Sequence, residues 1–229
     1  MPASFTLYGN PGSSASNRVR IMLAEAGFAD YDFVSLDFKT AEQKTPEHLR
    51  RHPWGKIPAI TTGDGFTLYE SRAICKFLAA KYNFPLLPPP SDLVARAVFD
   101  QAESAEASYF SPSAGAISFE KFAKPLMGLT TDQAVVARER KTLQEYFDII
   151  DGILTRQGYL AGNDYSLVDI YHIPVVERLF ACGDGDLIKE RGNVNAWWQR
   201  CLIRPAVKKY VDEMPSFEDI KKKLAASKN

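Results

Sequence analysis

Apolar residues change their spacing part-way along the chain. Phe5-Thr6-Leu7-Tyr8 reads as a short strand, and Gly9-Asn10-Pro11-Gly12-Ser13 follows as a turn cluster. Val19, Met22, Leu23 and Ala26 then recur at helical spacing from a start near Ser14, and Gly27 sits where a C-terminal cap belongs. Tyr31 to Leu36 alternates as a second strand, while Thr40 to Pro53 is polar and irregular with room for a short helix. Ile57-Pro58-Ala59-Ile60 and Phe66-Thr67-Leu68-Tyr69 flank Gly63-Asp64-Gly65, a hairpin signal, and Ile74, Phe77, Leu78 and Tyr82 mark a helix starting near Ser71. Further along, Val136, Arg140, Leu143, Phe147, Ile150 and Leu154 step by three and four as the core-facing side of a long helix. Ser166 and Asp169 form a capping-box pattern opening another helix, and the stretches around Trp197-Trp198 and Arg204-Pro205-Ala206 fit two more.

The two patterns meet at Asn83-Phe84-Pro85-Leu86-Leu87-Pro88-Pro89-Pro90-Ser91-Asp92, where consecutive prolines favour an extended connector. The expected domains are therefore 1–82, a linker 83–92, and 93–229. The order β-α-β then β-β-α on a small sheet predicts a thioredoxin-like α+β N-terminal domain, followed by an all-α C-terminal helical domain.

Lys plus Arg and Asp plus Glu are both 28 in 229 residues, so the formal net charge is zero. That balance argues against nucleic acid as a partner. The 45% hydrophobic and 24% charged composition is that of a globular protein. No run of about 18 apolar residues suggests a membrane partner. Cys75, Cys182 and Cys201 are few and odd in number, which fits a reducing compartment better than a disulfide framework. The N-terminal residues lack a secretory pattern, so a cytoplasmic location is expected.

Familiar catalytic signatures are absent: there is no Gly-x-Ser-x-Gly elbow, no phosphate-binding loop with Gly-Lys-Ser/Thr and no Cys-x-x-Cys. His48 and His52 stand four apart without the accompanying ligands of a metal motif, and His172 lies in an apolar run, so no metal site is expected. The turn after the first strand places Ser13 beside the exposed N–H groups of a helix start, where an anion is stabilised. Glu70-Ser71 opens a second helix and offers the same to another negative group. Pro58 between them implies a strand edge or a cis bond in a tight turn. Two helix starts and a free strand edge suit an anionic peptide, although a capping serine alone has a purely structural explanation.

The chain resembles the cytosolic glutathione transferases over nearly its whole length. The matching stretches are Leu7-Tyr8-Gly9-Asn10-Pro11 with Ser13 and Arg18-Val19, Pro53-Trp54-Gly55-Lys56-Ile57-Pro58-Ala59, Tyr69-Glu70-Ser71-Arg72-Ala73-Ile74, Leu160-Ala161-Gly162 running into Ser166-Leu167-Val168-Asp169, and Trp197 with Arg204-Pro205. Glu70-Ser71-Arg72-Ala73-Ile74 and Lys124-Pro125-Leu126-Met127-Gly128-Leu129 are most similar to the phi class, known from plants with fungal relatives. The resemblance implies that Ser13 hydrogen-bonds the glutathione sulfur and that Gln43, Lys44 and Lys56 surround the glycine carboxylate. It further implies that Ile57, before a cis Pro58, pairs by backbone with the cysteinyl part, that Glu70 faces the γ-glutamyl amino group, and that Ser71 takes the γ-glutamyl carboxylate. Tyr8 is the rival thiol activator, since other classes use a tyrosine near the end of the first strand.

The implied function is activation of the glutathione thiol for conjugation to small hydrophobic electrophiles, or for peroxide reduction or isomerisation, with glutathione as co-substrate and no other cofactor. The alternative is a non-catalytic carrier of hydrophobic ligands. Phe110, Phe119 and Phe122 stand at family-like positions for the hydrophobic substrate pocket, with core packing as their other reading. Trp54 resembles an aromatic inserted into the partner of a homodimer. Lys221-Lys222-Lys223 with Glu218 and Asp219 reads as a solvated helix face.

Overall fold

The computed structural model describes residues 3–213, so the Lys221-Lys222-Lys223 run lies outside the described residues. The chain divides into two compact units, with the break between Leu87 and Pro88.

In the first unit, β1 (Phe5–Gly9) leads into α1 (Ser14–Glu25), β2 (Asp32–Ser35), a single 3-10 turn (Glu42–Lys44), α2 (Pro46–Arg51), β3 (Ala59–Thr62), β4 (Thr67–Tyr69) and α3 (Ser71–Lys81). The sheet order is β2-β1-β3-β4. β1 runs parallel to β2, β3 runs antiparallel to β1, and β4 antiparallel to β3. This is the thioredoxin-like arrangement. Gly9 pairs with Ser35, Tyr8 with Ala59, and Ala59 with Tyr69. The end of β1, the end of β2, the start of β3 and the end of β4 therefore share one edge of the sheet.

Alternation along β1 sends Phe5 and Leu7 to a fully buried face and Tyr8 to the opposite one. Val19, Met22 and Leu23 of α1 and Ile74, Cys75 and Leu78 of α3 have no accessible surface, and the two helices pack together. The helical stripe read from α1 is thus its core face, and Cys75 is an apolar filler. Gly27 (φ +63°) ends α1 in the left-handed region that glycine adopts without strain.

The second unit is helical. α4 (Leu93–Ala105), a π turn (Glu106–Phe110), α5 (Ser111–Ser118), a second π turn (Phe119–Ala123) and α6 (Lys124–Leu126) follow one another without a break. Then come α7 (Gln133–Ile153), α8 (Leu167–Ala181), α9 (Asp186–Lys189), α10 (Gly192–Leu202) and α11 (Pro205–Glu213). The stripe Val136, Leu143, Phe147, Ile150 and Leu154 is buried, as its spacing predicts. Arg140 departs from the apolar role: it is half-buried and pairs with Asp184 (2.6 Å) and Asp186.

Asp169 is the polar centre of this unit. It is fully buried and completes the capping box of α8 by accepting from the Ser166 N–H (2.9 Å). It also accepts from the Leu160 N–H (3.0 Å) and the indole N–H of Trp197 (2.8 Å). Burial pushes its carboxyl pKa upward, against the pull of these donors. Replacing it with Ala strands several buried donors at once. We expect Asp169→Ala to cost about 3–5 kcal/mol in denaturant unfolding, with Asp169→Asn losing less because one oxygen still accepts.

Candidate active site

The shared sheet edge carries the turn before α1, the entry to β3 and the start of α3. Ser13 is the N-cap of α1, and its Oγ accepts from the Ser16 N–H (3.3 Å). As the acceptor in that bond, the hydroxyl keeps its own proton for donation to a ligand. The turn that carries Ser13 is braced from several sides. The Asn10 side chain accepts from the Gly12 N–H (2.8 Å) and donates to the Leu36 carbonyl (2.8 Å). Asn17, buried in α1, donates to the Pro11 carbonyl (2.7 Å). Gly9 is required by close approach, since a Cβ there would stand 2.8 Å from Ser16 Oγ.

Ser71 is the first residue of α3 and is buried. Its Oγ accepts from the Arg18 guanidinium at 3.4 Å, so a residue one turn beyond Ser13 on α1 reaches the start of α3. Glu70 precedes it with φ +70°, a strained left-handed conformation for a residue with a side chain; that side chain is exposed and makes no capping hydrogen bond to α3. The Ile57–Pro58 peptide is cis, deciding between the edge and cis alternatives for this proline. Strand β3 begins only at Ala59, so the residues before it form the entry to the strand rather than part of it.

The segment between β2 and β3 folds onto the Tyr8 face. Lys44 Nζ donates to the Trp54 carbonyl (3.1 Å), and Gly55 (φ +58°) lies so close that a Cβ would stand 2.8 Å from Lys44 Cδ. Gln43 Oε1 is buried with no hydrogen-bond partner among the described residues. Lys56 and Trp54 are exposed. The Arg51 guanidinium lies 4.1 Å from the Tyr8 ring centroid, on the ring face.

His48 and His52 are buried, and their rings continue a column from Tyr8 (6.5 Å to His48) through the pair (6.4 Å) to Tyr69 (4.7 Å from His52). His48 Nε2 bonds the Lys56 carbonyl at 2.7 Å. The sequence spacing of these histidines gave no hint of this use. Among the described residues no cluster of three or more His, Cys, Asp or Glu could hold a metal ion. His172 sits in the second unit, bonded to Tyr146 OH (2.8 Å) and the Val168 carbonyl (2.8 Å), as a satisfied core residue.

The three phenylalanines expected at a substrate pocket, Phe110, Phe119 and Phe122, all fall on the two π turns. Phe110 has no accessible surface and stacks on His172 (4.5 Å) and near Tyr146 (5.4 Å). It is packed in the core, the other reading that its position in the sequence left open. Phe119 is exposed, and Phe122 is half-buried under the Arg178 guanidinium (3.5 Å).

Residues 3–80 match the glutathione S-transferase N-terminal domain and residues 97–205 the C-terminal domain. Glutathione S-transferase 1 of Zea mays is 39% identical over 207 residues, covering 90% of this chain and 95% of its own. Among solved structures, glutathione transferase F7 from Populus trichocarpa superposes with a TM-score of 0.87 at 33% identity, covering 92% and 99% of the two chains. Glutathione S-transferase I from maize, solved in complex with an atrazine glutathione conjugate, gives 0.85 at 38% identity, covering 92% and 97%. The chain belongs to the glutathione S-transferase family. Within it, the chain is of the phi class.

Burial holds the His52 pKa below the ordinary histidine value of 6.5. The folded state thus binds fewer protons than the unfolded chain between that lowered value and 6.5, so stability must fall as pH drops through this window. Urea unfolding of the native protein should show this acid loss as the pH falls below about 6.5, and His52→Phe should flatten it.

Proposed function

We propose that the protein activates glutathione as a thiolate and conjugates it to small hydrophobic electrophiles. The observation that carries the reading is the Ser13 hydroxyl, which sits at the start of α1 and accepts from the helix while retaining a proton to give away. Ser71 repeats the device, accepting from Arg18 and keeping its proton for a carboxylate. Glutathione would lie along the shared sheet edge. Its sulfur meets Ser13, its cysteinyl backbone meets Ile57 ahead of cis Pro58, its γ-glutamyl carboxylate meets Ser71, and its γ-glutamyl amino group meets Glu70. Gln43, Lys44 and Lys56 surround the glycine carboxylate. The complex of the maize relative with a glutathione conjugate supports the reaction class, as does a second complex with lactoylglutathione at 38% identity.

The energetics suffice. A free thiol has a pKa near ~8.5, and lowering it by about two units takes roughly 2.7 kcal/mol of preferential thiolate stabilisation. A hydrogen bond to a charged acceptor supplies about 1.5–3 kcal/mol, and the helix start about 0.3–1 kcal/mol. The thiol proton leaves to solvent, the sulfur lone pair forms the new bond to the electrophilic carbon, and the leaving group departs with its bonding pair. No protein base takes part.

In this reading residues 1–82 bind glutathione, and residues 93–229 supply apolar surface for the electrophile through Phe119 and Phe122. Trp54, 66% exposed, is the proposed anchor of a homodimer. No helix among the described residues is long and apolar enough to cross a membrane, and a cytoplasmic location is proposed.

Ser13→Ala should lower kcat/KM for an aryl halide by about 10- to 100-fold. It should also move the pH inflection of the rate upward, because loss of the donor raises the bound thiol's pKa, with little change in glutathione affinity. An unchanged rate would pass the role to Tyr8, with Tyr8→Phe as the next variant. Binding of glutathione and apolar dyes without turnover would make the protein a carrier.

A further inference from the structure

We infer that His48 is a positioning residue, which holds the Lys56 carbonyl so that the Ile57 N–H is presented to the cysteinyl part of glutathione. The inference rests on the proposed pairing of that N–H with the tripeptide. The Lys56–Ile57 peptide is trans, and its C=O and N–H are rigidly coupled and point in opposite directions. Whatever fixes the oxygen therefore fixes the direction of the N–H.

The oxygen is fixed by His48 Nε2 at 2.7 Å. A carbonyl only accepts, so Nε2 carries the proton, which determines the tautomer. Nδ1 is buried with no hydrogen-bond partner among the described residues. A phenyl ring would fill this place without an unpaired nitrogen, so the Nε2 donor is what imidazole contributes here. The ring is 1% exposed and cannot swing away: His48 lies in α2, whose cap Thr45 accepts from the His48 N–H (3.3 Å), and the rings of Tyr8 and His52 flank it. Beyond the peptide, the Ile57 side chain is buried and Pro58 closes the turn, so the plane is held at both ends. Among the described residues the Ile57 N–H makes no hydrogen bond of its own.

The experiment compares the full-length native protein with His48→Phe, His48→Gln and His48→Asn, by calorimetric titration with glutathione and by steady-state conjugation of an aryl halide. His48→Phe keeps the ring and loses the donor. It should raise Kd and KM for glutathione about tenfold. At saturating glutathione, kcat should stay within about twofold and the pH inflection should not move, since Ser13 is untouched. Glutamine places its amide nitrogen about where Nε2 lies and should restore native affinity; asparagine stops near Nδ1 and should behave like phenylalanine. Native affinity in His48→Phe, equal impairment of the Gln and Asn variants, or a loss confined to kcat would overturn the inference. Should His48→Phe not fold, the Gln and Asn pair decides alone. If the native protein itself binds no glutathione, the reading of the whole site falls; if it binds and His48→Phe binds equally well, only the role of His48 falls.

Discussion

The register of one short ladder underlies the first unit. Pairing Tyr8 with Ala59 and Ala59 with Tyr69, with β2 parallel to β1, brings four strand ends to one edge of the sheet. A slip of one residue would exchange the two faces of β1, exposing Leu7 and burying the Tyr8 hydroxyl among apolar residues. The turn before α1, the entry to β3 and the start of α3 are neighbours only because the ladder ends where it does. Chemistry that needs a hydroxyl, a main-chain edge and a second helix start in one place is thus set by strand pairing before any side chain contributes.

A second device recurs in both units: a buried polar side chain on one element grips the main chain of another. Asn17 holds the Pro11 carbonyl, His48 the Lys56 carbonyl and Asp169 the Leu160 N–H. Away from water such bonds are strong and an unpaired partner is costly. Each grip therefore fixes a loop that has little apolar surface of its own. Burial raises the Asp169 carboxyl and lowers His52, two consequences of the same low-dielectric surroundings acting on groups of opposite charge.

Much of the local architecture was legible. The turn cluster before α1, Gly27 after it, the hairpin around Gly63-Asp64-Gly65 and the Ser166–Asp169 capping box are signals within one turn of chain, and each appears in the structure. The stretch 93–126 was harder to read. It runs as continuous helix, but Pro112, Gly115 and Pro125 interrupt the propensity and two π turns shift the apolar period, so no single 3.6-residue stripe survives. Spacing alone left Phe110 open between pocket and core; its ring meets Tyr146 and His172.

By itself the sequence determined where helices start, which faces are apolar, and that Ser13 and Ser71 stand at helix openings. Those properties depend on spacings of a few residues, which the covalent chain fixes directly. Only the tertiary structure decided which polar groups meet. Arg18 and Ser71 are 53 residues apart, Asp169 and Trp197 28 apart, and His48 reaches a carbonyl 8 residues on across a bend. Such pairings follow from the path of the whole chain, because a hydrogen bond between distant residues forms only after strand register and helix packing have brought them within about 3 Å.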